Sequence, residues 1–79
     1  MWWKVQKTIE NDKKIIFSYG FESHVLDGKL EYNKLNDEFS LLKPSENGGI
    51  VGYCKLCSHL INMIDNKDVP EGQHMISIG

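Results

Sequence analysis

The chain contains no arginine and no alanine, and its nine cationic side chains are all lysines. Against eleven carboxylates they leave a net charge of -2 and a pI near 5.8. Arginine supplies the planar fork that grips phosphate and the guanine edge bidentately. An acidic chain without it lacks the electrostatic footprint of a nucleic-acid binder, and no nucleic-acid partner is expected. Cysteine is scarce too. Two in 79 residues are too few for a secreted disulfide scaffold and fit a reducing compartment. No apolar run approaches the roughly 18 residues of a membrane span. The opening Met1-Trp2-Trp3-Lys4-Val5-Gln6-Lys7 interleaves lysine where a secretory signal would be apolar. A cytoplasmic location with no membrane partner is the resulting expectation.

Eight isoleucines and six asparagines accompany the missing arginine and alanine. Residues with A/T-rich codons are in excess, which suggests a bacterial gene of AT-rich composition. A chain this short buries only about 60% of its unfolded surface. That is enough for one core but not for a deeply enclosed active site, so residues 1–79 are expected to form a single small, non-enzymatic domain. No repeat and no low-complexity tract interrupts it.

Apolar residues alternate with period two in the first half, as half-buried strands require. Trp3, Val5 and Ile9 share one parity, and so do Ile15, Phe17, Tyr19 and Phe21. A three-residue connection at Asn11-Asp12-Lys13 pairs Ile9 with Ile15, Val5 with Tyr19 and Trp3 with Phe21. Asp27-Gly28 reads as a two-residue hairpin turn that pairs Val25 with Leu30 and Ser23 with Tyr32, the second strand bending through residues 22 to 24. A four-residue turn at 34 to 37 pairs Tyr32 with Phe39 and Leu30 with Leu41. The three hairpins agree on one buried face, to which Val25, Leu30, Tyr32, Phe39 and Leu41 also belong, and this agreement predicts a four-stranded antiparallel meander.

After Gly48-Gly49 the period changes. Ile50, Tyr53, Cys54, Cys57, Leu60, Ile61 and Ile64 recur three and four apart, so a helix is expected with Asn47 as N-cap and Asn66 as its stop. That helix covers one face of the sheet, and Met75-Ile76-Ser77-Ile78 reads as a fifth strand. The expected fold class is therefore α+β, in the order β-β-β-β-α-β.

Cys54-Lys55-Leu56-Cys57 with His59 behind it is the one motif with chemical precedent. A second cysteine pair or two histidines at helical spacing would be needed for zinc. Haem attachment needs histidine where Ser58 stands, and a redox pair belongs at a helix N-terminus. Cys54 and Cys57 are instead expected in the core, as cysteine behaves as a small hydrophobe, with His59 facing solvent. His24 is placed opposite Glu31 on the outer face, and His74 has no evident partner. Asn47-Gly48-Gly49-Ile50-Val51-Gly52 matches neither the Walker pattern nor the dinucleotide fingerprint. No catalytic residue, metal ligand or cofactor is implied.

The outer face of the sheet is expected to carry Lys4, Gln6, Thr8, Ser18, Glu31, Asn33, Glu38 and Ser40, but also Trp2, Ile16, Leu26 and Leu42. Those four apolar residues form a candidate interface, and an open sheet edge offers a second. The functional expectation is a protein-interaction or self-associating module, a homodimer or the binder of a protein partner, acting through its sheet face or edge. The alternative is a small thiol-redox or metal-binding protein that uses Cys54 and Cys57.

Overall fold

Alternating side chains commit the first half of the chain to strands, and the computed structural model, which describes residues 1–78, places them in one antiparallel sheet. The elements are β1 (Trp2–Glu10), β2 (Lys14–Phe21), β3 (Gly28–Asn33), β4 (Glu38–Lys43), α1 (Gly49–Asp65) and β5 (Gln73–Ser77). Their order is the expected β-β-β-β-α-β, and the sheet runs β4-β3-β2-β1-β5. The last strand pairs with the first, Trp3 opposite Ile76 and Val5 opposite His74. That leaves β4 and β5 as the two edges. Among the described residues no helix is long and apolar enough to cross a membrane.

The inner face of the sheet and one side of α1 share the core. Trp3, Val5, Ile15, Phe17, Tyr19, Leu30, Tyr32 and Ile76 are buried against Tyr53, Leu56 and Leu60. The turn between β3 and β4 follows the expected register, Tyr32 opposite Phe39 and Leu30 opposite Leu41. Two features of the other hairpins differ.

In β1–β2, Trp3 faces Phe21 and Val5 faces Tyr19 as expected, but the register slips after Lys7 and Ile9 lies opposite Ile16. Thr8 is the extra residue of a β-bulge, and its hydroxyl donates to the Ile16 carbonyl at 3.0 Å. The bulge shifts the alternation by one. Ile9 leaves the core and is 49% exposed, whereas Glu10 comes opposite the buried Ile15.

In β2–β3 the Asp27-Gly28 pair is not the hairpin turn. Gly28 pairs with Tyr19, residues 22–27 form the connection, and Val25 is 67% exposed instead of facing Leu30. Both residues of the dipeptide are engaged elsewhere. A Cβ on Gly28 would lie 2.4 Å from the Tyr19 ring, so glycine is the seat on which that ring packs. Asp27 accepts hydrogen bonds from the Ser45 hydroxyl at 2.7 Å and the Glu46 amide at 2.9 Å. The buried Ser45 also donates its amide to the Tyr19 hydroxyl at 3.2 Å. The connection is thereby clamped to the segment that leads into α1.

The Ser45 hydroxyl, and after it the Glu46 amide, hold the Asp27 carboxyl below its ordinary value. A depressed folded-state value stabilises above the unfolded value near pH 4 and is lost as pH falls through the folded one. Acid titration of stability should therefore show a loss below about pH 4 that is smaller in Asp27→Asn. Ser45→Ala should lower stability by about 1–2 kcal/mol at neutral pH, read by urea denaturation. Equal acid sensitivity of wild type and Asp27→Asn would contradict the clamp.

The helix begins after Gly48, not after an Asn47 cap. Gly48 has φ 91° and no side chain caps the helix. The Phe21 ring lies 2.6 Å from where a Gly48 Cβ would be, so the chain reaches this position only as glycine. Asn66 ends the helix as expected. Behind it the Lys67 amide donates to Ile64 and the Asp68 amide to Met63, and Lys67 has φ 54°. This is a Schellman motif with lysine where glycine is usual.

Candidate interaction surface

At 100° per residue the buried positions Gly52, Tyr53, Leu56 and Leu60 centre about a quarter turn from the face read from the sequence. Leu56 is fully buried. Gly52 lies under Phe21, its missing Cβ 3.2 Å from the ring, and this lets the helix approach closely along that line. Cys54 is exposed and Cys57 half-buried, which corrects the expectation of two core thiols. His59 is half-buried, its ring centroid 6.4 Å from that of Trp3, and does not face open solvent.

The same rotation exposes one flank of the helix. His59 lies over Trp3 of β1, and Ile64 lines one cavity together with Ile15 of β2 and Tyr32 of β3. The first flank faces β1, so the second faces β3 and β4. On it lie Ile50, 63% exposed, Cys54, and the half-buried Cys57 and Ile61. On the sheet below, Phe39 and Leu41 of β4 are only half-buried, although their parity places them on the inner face opposite Tyr32 and Leu30. The helix flank and the inner-face residues of the open β4 edge thus both present half-buried apolar side chains around the same core. The hairpin register that assigns Phe39 and Leu41 to the inner face holds, but the edge position of β4 leaves them half-buried there.

The outer-face residues are separated by a polar band. Trp2 is half-buried at one end of β1, its ring 5.5 Å from that of His24. His24 sits in the 22–27 connection with its Nδ1 3.5 Å from the Lys4 ammonium, not opposite Glu31. Glu31 instead pairs with Lys14 at 3.7 Å. Ile16 lies toward the other end of β2, with Lys4, Gln6 and Ser18 between it and Trp2. Leu26 belongs to the connection. Leu42, 50% exposed, is the extra residue where the β3–β4 register slips between Lys29 and Leu30.

The Cys57 thiol is poorly set for nucleophilic chemistry. Burial pushes the Cys57 thiol up to about 11, further than its hydrogen bond with Tyr53 lowers it, so at neutral pH it stays protonated. Among the described residues no group of three His, Cys, Asp or Glu side chains is placed to hold a metal ion. Tyr32 donates to Asp37 and is pushed up to about 12, chiefly by that hydrogen bond. It holds the β3–β4 turn. Compared with family models, curated proteins and solved structures, the chain matches none of them.

Proposed function

We propose that the protein is a self-associating module that forms a homodimer through the β4 edge. The observation that carries this reading is the self-complementarity of β4. Antiparallel pairing of two copies about Ser40 sets Phe39 of one opposite Leu41 of the other, twice, and directly opposed residues share a face. Both pairs then lie on the inner face, the side of the sheet that α1 covers. The same register sets Asp37 of each copy opposite Lys43 of the other and Glu38 one residue along from that lysine, so the charges at the strand ends are complementary.

The other edge offers less. On β5 the inner-face Ile76 is already buried, so pairing there gains backbone hydrogen bonds and little apolar burial. An edge strand with half-exposed apolar neighbours is a template for another chain unless something covers it. The bulge at Leu42 limits the straight part of β4 and keeps the pairing short.

Sedimentation equilibrium tests this reading. The wild type should show a concentration-dependent monomer–dimer equilibrium. Glu38→Lys, at an exposed position, should weaken it, and the double change Glu38→Lys with Lys43→Glu should restore it. Ile16→Lys on the outer face should leave it unchanged. A wild type that stays monomeric, or a dimer abolished by Ile16→Lys and indifferent to Glu38→Lys, would overturn the β4 assignment.

A further inference from the structure

Lys7 interrupts the buried parity of β1. It follows Trp3 and Val5 on the inner face and pairs with Phe17, where a packed sheet calls for an apolar side chain. Its side chain is only 10% exposed, and its ammonium lies 2.7 Å from Glu10 and 2.9 Å from Glu71. Glu10 reaches it because the Thr8 bulge turns that residue to the inner face, and Glu10 also holds Lys34 at 2.9 Å. Bulges commonly re-aim a side chain beside a site.

These charges rim a cavity of about 450 Å³ between the C-terminal end of α1 and the adjoining ends of β1, β2 and β3. That volume lies within the range of small-molecule sites. Its apolar lining comes from Ile15, Tyr32, Ile64 and Val69. Lys67 stands at the mouth in the left-handed conformation that glycine would adopt at less cost. No carboxylate among the described residues is within ion-pair distance of it. Three lysines therefore face two carboxylates.

The two partners of Lys7 are not equivalent. Glu10 is anchored in the sheet and bridges two lysines. The Glu71 side chain is 90% exposed, and its one side-chain hydrogen bond among the described residues is to Lys7. It lies in the segment that joins α1 to β5. A cation withdrawn from water requires an anion, but any carboxylate can supply it.

We propose that this cavity binds a small carboxylate with an apolar body, whose carboxylate displaces Glu71 from Lys7 while its chain lies against Ile15, Ile64 and Val69. An amine of the same shape places a cation beside Lys7 and is rejected. A short carboxylate such as acetate leaves the apolar lining in contact with water and binds far more weakly.

The test is NMR titration of the full chain with octanoate, octylamine and acetate, followed on the methyl signals of Ile15, Ile64 and Val69. Octanoate should give saturable shifts at these methyls, and octylamine and acetate none at the same concentrations. Glu71→Gln, at a 90% exposed side chain, should tighten octanoate binding about two- to fivefold, since the competing exposed ion pair is gone. Lys7→Met should abolish it. The absence of saturable shifts at millimolar octanoate, equal binding of octylamine, or weaker binding by Glu71→Gln would each overturn the proposal.

Discussion

Gly20→Ala should cost about 2–3 kcal/mol of stability, although it adds one methyl group. A Cβ at this position would lie 2.2 Å from the Val25 carbonyl oxygen and 2.9 Å from that of Ser23. Both obstacles are backbone, so no side chain can swing aside. The 22–27 connection would have to lift off β2, and its lifting strains the Asp27–Ser45 clamp that ties it to the helix entrance. Gly72→Ala is the matched control, because nothing lies within 4 Å of its missing Cβ. Urea denaturation of the two variants should give a large fall in midpoint for the first and almost none for the second. Equal midpoints would mean that the connection does not fold back over Gly20.

Leu56→Ala should lower stability by about 2–5 kcal/mol, and Cys54→Ser by no more than about 0.5 kcal/mol. Leu56 is fully buried among core side chains from sheet and helix, so its truncation removes apolar contact and leaves a cavity. Cys54 is exposed. The pair tests the rotational setting of α1: a helix turned to bury Cys54 and Cys57 would reverse the ranking. The same denaturation curves decide it, provided the slopes stay equal between variants.

The errors of sequence reading share a cause. The 34–37 turn was legible because the residues on both sides, Tyr32 with Phe39 and Leu30 with Leu41, support one register and nothing distant competes. Asp27-Gly28 carries an equally strong local signal, yet its glycine serves the Tyr19 ring and its aspartate serves Ser45, both partners supplied by distant segments. Local turn chemistry cannot reveal such demands. In α1 the apolar residues span more than half the circumference. Periodicity alone therefore permits either Cys54 or Leu56 at the centre, and it is Phe21 resting over Gly52 that selects the face.

The candidate surfaces were legible in part. That an edge would be available followed from an open meander, but which edge depends on how far one helix can reach across five strands. Lys7 was visible as a lysine in an apolar row. Its role was hidden by the Thr8 bulge, without which Glu10 would point to the outer face and Lys7 would lack its sheet-borne partner. One extra residue both removes Ile9 from the core and builds the charged mouth of the cavity.

The most direct measurement is an isotope-filtered nuclear Overhauser experiment on an equimolar mixture of labelled and unlabelled protein, at a concentration where a dimer is present. Pairing of β4 about Ser40 predicts intermolecular contacts between the Phe39 ring of one copy and the Leu41 methyls of the other. Intermolecular contacts confined to Trp2, Ile16 and Met75, or none at millimolar concentration, would contradict it.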